Sequence, residues 1–174
     1  MHDVILLHKG DVARVLKPVW YSQGKIAADA FALRPRLHED YVSVLVESHL
    51  DFLANLCAVC KKGIDCSYAS LSVEQIGQLN VPELLPNVVN YQVGAVDNSK
   101  LKSHAGIFVS VNEETLVGGK PLTSLVAQGK AQSTAILLIQ LKLAKLAEKN
   151  VKRLLLSSSL DGAMVSEPEI VRRS

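Results

Sequence analysis

The chain has 174 residues, 48% of them hydrophobic, which suffices for one core of ordinary size and calls for no second domain. Nineteen Lys and Arg against seventeen Asp and Glu leave a formal charge of +2, and aromatic residues make up only 5%. Neither the electrostatic footprint nor the stacking rings of a nucleic-acid binder are present, so no nucleic-acid partner is expected.

Val4 to Leu7 reads as a short buried strand, and with no basic lead or small-residue cleavage site it is not expected to be a signal peptide. The cytoplasm is the default compartment. After a turn at Lys9-Gly10, the spacing of Val12, Val15 and Leu16 predicts a short helix capped by Asp11 and ended by Pro18. Trp20 to Gly24 is a loop carrying the one tryptophan, which is expected to cover an edge of the core. Lys25 to Leu33 reads as a strand that Pro35 closes by withdrawing a backbone donor.

The polar loop that follows holds Arg34, Arg36, His38, Glu39 and Asp40, and leads into a strand from about Tyr41 to Val46. Opposite charges fixed between two strand ends can be held close and pointed one way, so this is the first candidate site, set against the ordinary solvated loop. Ser48 precedes the pattern Leu50, Leu53, Leu56, Cys57, Cys60, and Lys61-Lys62-Gly63 supplies basic residues and a left-handed stop; the segment reads as a helix. Ile64 to Leu71 alternates as a strand. Ser72-Val73-Glu74-Gln75 then matches a capping box that opens a helix to Leu79.

Val81 to Pro86 is a proline-punctuated connection. Val88 to Val96 and Ala105 to Val111 read as two strands joined through Asp97-Asn98-Ser99, the second with Ile107, Val109 and Val111 on one face and His104, Gly106 and Phe108 on the other. From Pro121, after the Gly118-Gly119 break, the chain is expected to be helical to about Asn150 with an interruption at Gly129. Lys142, Lys145, Lys149 and Lys152 fall at steps of three and four and read as the solvated stripe of a helix packed on a sheet. Gln140, Lys142 and Lys145 interrupt the apolar run from Ala135 to Leu146 well short of the ~20 residues a bilayer crossing needs, and no membrane association is expected. Val151 to Leu156 forms a last strand. Residues 157–174 read as a polar C-terminal tail.

Cys57, Cys60 and Cys66 are odd in number, which argues against a disulfide framework in a cytoplasmic chain. A zinc site would need a fourth ligand such as His49 or His104, since the single C-x-x-C has no second pair. The helical spacing instead places Cys57 and Cys60 on an apolar face as small hydrophobes, and no metal or cofactor is expected. Phe31, Leu53, Cys57, Ile107, Phe108, Ile136 and Ile139 are the expected core.

No phosphate loop, H-E-x-x-H or G-x-S-x-G motif occurs. His8, His38 and His104 stand at strand ends, which a sheet can gather on one rim beside Glu39 or Asp40. The run Gly24-x-Ile26, Ala30-Phe31, Pro35, Glu39-Asp40-Tyr41-x-Ser43-Val44, with His104-Ala105-x-Ile107 much later, resembles a group of small bacterial proteins without an assigned activity. Within that pattern His8-Lys9 departs from an expected Tyr-Arg, and Asp29 from a small polar residue. The resemblance spans roughly the first 110 residues and implies a coherent fold and a bacterial origin.

The expected fold is therefore α+β: a single domain over 1–156 with a mixed, mostly antiparallel sheet of about five or six strands and helices packed on one face. The expected function is a small cytoplasmic binding or interaction module with a protein partner, in a bacterial defence or toxin-related operon, using Arg34, His38, Asp40 and Ser43 for binding. The alternative is an ADP-ribosyltransferase-like or other nucleotide-processing enzyme. In it His8 would orient a ribose, Tyr41 would stack on a base, Glu39 or Glu47 would serve as acid, and His104 would share the cleft.

Overall fold

The computed structural model describes residues 4–60, 66–118, 123, 125, 131–155 and 169–172. Its strands are β1 (Val4–Leu7), β2 (Asp11–Leu16), β3 (Tyr21–Ser22), β4 (Lys25–Ile26), β5 (Val42–Val46), β6 (Cys66–Ser72), β7 (Val89–Val96), β8 (His104–Val111), β9 (Glu114–Thr115), β10 (Val151–Leu155) and β11 (Glu169–Arg172); its α-helices are α1 (Phe52–Val59), α2 (Val73–Gly77) and α3 (Gln132–Ala147). The fold is α+β. One sheet runs in the order β1-β7-β8-β5-β2-β6-β10-β11, with β9 added to β8, and β3 and β4 form a separate hairpin. Every pairing is antiparallel.

Among the described residues the main sheet has nine strands, more than the five or six expected, and the difference lies in short elements. Asp11–Leu16 is a strand rather than a helix: Val12 and Leu16 face one layer, Ala13 and Val15 the other, so a strand covered on both sides lacks the polar alternation that would announce it. Lys25–Ile26 is all that forms of the strand expected to reach Leu33. Its alanine-rich continuation, Ala28 to Phe31, coils into a 3-10 turn that buries Ala30 and Phe31. Glu169–Arg172 lies within the stretch read as a polar tail and adds a strand to β10.

Helices cover both faces, not one. On the first face α3 buries Ala135, Ile139 and Leu143 against a layer that includes Val12, Val44, Ala69 and Ile107, and α2 adds Val73 and Ile76. On the second face α1 sets Phe52 and Leu56 on Ala13, Leu45, Tyr68 and Leu154. The reading of α1 is corrected in its orientation: Leu50 is 99% and Leu53 41% exposed, while Cys57 is half-buried. Phe52, Leu56 and Cys60 form the buried stripe because Phe52, stacked edge-on to Tyr68 at 5.9 Å, carries more apolar surface than either leucine. Of the expected core, Phe31, Ile107 and Ile139 are buried, whereas Phe108 and Ile136 are only half-buried.

Two expectations hold, the first with a shorter helix, since α2 ends at Gly77 rather than Leu79. The Ser72 Oγ accepts a hydrogen bond from the Gln75 amide at 3.3 Å and caps α2. The faces of β8 divide as read, Ile107, Val109 and Val111 inward to the first layer. The expected helix start near Pro121 and its interruption at Gly129 lie outside the described residues, as do Lys61 to Gly63. Lys152 stands on β10 rather than on α3, 3.6 Å from the Glu47 carboxylate.

Candidate functional site

The sheet is not uniformly joined. β2 pairs with β6 over six residues, from Asp11↔Ser72 to Leu16↔Ser67, but with β5 at only Val12↔Val46 and Ala13↔Leu45. Beyond Ala13 the two strands part. Arg14 fills the gap: its Nε donates to the Ala30 carbonyl and its Nη1 to the Ser43 carbonyl, both at 2.8 Å, so a side chain takes the place of the missing ladder bonds. The guanidinium forms no ion pair among the described residues. Burial lowers its pKa to about 10 against the raising charge of Glu39, with Arg34 lowering it further.

The split opens into a cleft of about 890 Å³. Arg14, Trp20, Arg34 and Glu39 line one part of it, Tyr41, Ser43 and His104 another, and Ala13, Val15, Leu45 and Leu101 give it apolar walls. Trp20 lies between two cations, 5.3 Å from the Arg14 guanidinium and 4.8 Å from the Lys17 ammonium.

Local sequence explains how each group arrives there. Pro35 starts a 3-10 turn that ends at His38 in a left-handed conformation, φ +48°, and this brings Glu39 back beneath Arg34. Glu39 accepts from the Arg34 Nε at 2.7 Å, from its Nη2, and from its backbone amide at 3.1 Å. Burial alone would push the Glu39 carboxyl up, but the Arg34 hydrogen bonds, with the charges of Arg34 and Arg14, hold it below the usual carboxylate range. The hydrogen bond to Glu39 raises Arg34 in turn. Tyr41 lies over Gly106, its ring 5.6 Å from His104 and 5.2 Å from Phe108, on the second face of the sheet. Burial raises its hydroxyl pKa, and Asp40 and Glu39 add to the effect. His104, nearly buried at the start of β8, brings its Nε2 to 3.3 Å from the Ser43 Oγ on the neighbouring strand.

The structure therefore gathers Arg34, Glu39, Tyr41, Ser43 and His104 round one cleft. It does not gather the rest. His8 lines a smaller cavity of about 390 Å³ with Glu74 and Tyr91, on the face that carries α2. His38 is exposed, and neither it nor Asp40 lines the cleft. Glu47 sits at the far end of β5 with Lys152, beside Tyr68, whose pKa is raised to about 12 by burial and by the Glu47 charge.

Sequence reasoning missed Arg14 and Trp20. A helical reading of Asp11–Leu16 turns Arg14 into a solvated side chain, while a strand reading would have placed a charge in the middle of an apolar run, which demands a buried partner or a site. It also missed the Cys60–Cys66 disulfide, with Cys57 left as the free thiol. The expectation of no disulfide is corrected: the first residue past α1 and the first of β6 meet across a six-residue separation, and both sulfur-bearing residues line the cleft. Among the described residues no group of three or more His, Cys, Asp or Glu could hold a metal, and no helix is long and apolar enough to cross a membrane.

Compared with protein-family models, curated proteins and solved structures, the chain matches none.

Proposed function

We propose that this chain is a small binding module and that the cleft between β2 and β5 is its ligand site. The observation that carries this reading is the split itself: a sheet that could have zipped shut is held open by Arg14, with five of the residues singled out in the sequence on its walls. Its volume lies in the range of small-molecule sites, with apolar walls and a few convergent polar groups. Amide NMR spectra recorded with benzoate, indole and adenosine test it. Shifts should cluster at Val15, Tyr41, Ser43 and His104; shifts confined to other surfaces, or none, would contradict the reading.

The compartment belongs to the same proposal. Disulfides persist where thiols are oxidised, so the cytoplasmic setting is retained only with Cys60 and Cys66 as thiols there.

A second reading rests on one contact. The Ser43 Oγ and His104 Nε2, 3.3 Å apart in the cleft, have the geometry of a nucleophile and its base. Labelling of Ser43 by a fluorophosphonate, abolished in His104→Gln, would support an enzyme; an unlabelled Ser43 would remove it. The transferase picture built on His8 loses its ribose ligand, because His8 lines the other cavity.

A further inference from the structure

We propose that the cleft takes an amphipathic anion, a carboxylate or phosphate monoester on an apolar body, with the anionic head on Arg14 and the body along Val15 and Leu101. This rests on the cleft being the ligand site and names the class of ligand.

The head group follows from the state of Arg14. A guanidinium removed from water is costly unless something of opposite charge or strong acceptor character meets it. Two of its nitrogens are committed to the Ala30 and Ser43 carbonyls, and Nη2 has no hydrogen bond among the described residues. The nearest carboxylate influence, Glu39, is already held by three hydrogen bonds from Arg34. The residual charge of the site is positive: Arg14, Lys17 and Arg34 line the cleft with Glu39 and Asp29, three cations to two carboxylates. Burial lowers the Arg14 pKa, as expected of a cation short of a counter-charge. An oxyanion at Nη2 would supply it through charge-assisted hydrogen bonds, and guanidinium geometry suits carboxylate and phosphate alike.

The body follows from the walls. Val15 and Leu101, both half-buried, present aliphatic surface to the cleft, Leu101 from the loop between β7 and β8, while Ala13 and Leu45, 1% and 3% exposed, contribute little. The 890 Å³ volume leaves room for a chain of several methylenes beyond the head group.

The one tryptophan of the chain lines this cleft and stands beside Arg14, so its fluorescence reports occupancy directly. Titrations with octanoate, octyl phosphate and neutral methyl octanoate distinguish the sources of the anion. At least one of the two anions should saturate the signal, with the ester weaker by about tenfold or more, and the tighter anion identifies the head group. Arg14→Gln should lose about 10- to 100-fold in affinity for that anion, while Lys145→Gln, on the exposed side of α3, should bind as wild type. If Arg14→Gln fails to fold, the comparison of anion with ester in the wild-type protein decides alone. Equal binding of ester and anion, an unchanged affinity in folded Arg14→Gln, or no saturation by roughly 10 mM of either anion would overturn the proposal. Failure here with neutral indole or adenosine still shifting the Tyr41, Ser43 and His104 amides refutes the ligand class and leaves the cleft as the site; silence in both experiments refutes both.

Discussion

Gly106 is the position where the site and the stability of the fold can be tested together. A Cβ built there would come within 2.7 Å of Tyr41 Cγ and Cδ2 and 2.8 Å of Tyr41 Cβ. These are atoms at the root of the side chain, so no rotation of the ring relieves the overlap; the backbone at residue 41 or in β8 must move. Overpacking of this kind costs about 1–3 kcal/mol, and replacing glycine by alanine in a strand returns roughly 0.5–1 kcal/mol. Gly106→Ala should therefore destabilise the protein by about 1–2 kcal/mol, or roughly 2–8 °C in Tm for a domain of this size. In the Tyr41→Ala background the two ring contacts at 2.7 Å are gone while the Cβ contact at 2.8 Å stays, so the same glycine substitution should cost less than in wild type without changing sign. Chemical denaturation of wild type, the two single variants and the double variant gives the cycle. A Gly106→Ala variant as stable as wild type, or one that costs the same with and without the Tyr41 ring, would refute the placement of Tyr41 over β8.

Leu143→Ala, at a side chain 1% exposed on the sheet side of α3, should cost about 2–5 kcal/mol in urea unfolding; a cost below 1 kcal/mol would mean that α3 does not pack as described. Tyr68 has a folded pKa raised from 10.0 to about 12, so its contribution to stability is fully present below 10 and is lost as pH rises through 12. Wild type should therefore lose stability relative to Tyr68→Phe across that window, and parallel pH profiles would contradict the burial of the hydroxyl. Non-reducing peptide mass mapping of protein refolded in air should find Cys60 linked to Cys66 and Cys57 open to alkylation, and Cys60→Ser/Cys66→Ser should lose about 2 kcal/mol for a loop this short. A Cys57–Cys60 linkage would overturn the assigned pairing.

Legibility in the sequence tracked the length and patterning of each element. β7 and β8, long strands with regular faces, and α2, with its Ser72 cap, could be read because local chemistry alone specifies them. Several candidate residues converge because Tyr41, Ser43 and His104 lie on adjacent strands of one face, which strand periodicity anticipates once the pairing of β5 with β8 is known. That pairing, spanning some sixty residues, has no local signal. β2 was misread because a strand buried on both faces carries apolar residues at helical as well as alternating spacings. The error also hid Arg14, whose role exists only where β2 and β5 diverge. His8 fell on the wrong side for the same kind of reason: strand ends can be seen in a sequence, but the strand order that decides which cavity they face cannot. The disulfide depended on where α1 ends relative to β6, and counting cysteines does not contain that distance.

The most direct test is a crystal structure of the protein grown with octyl phosphate or octanoate. The anionic head should lie on Arg14, between β2 and β5, with the alkyl chain along Val15 and Leu101. A ligand seated instead beside His8 and Glu74, or β2 and β5 fully paired with no cleft between them, would contradict it.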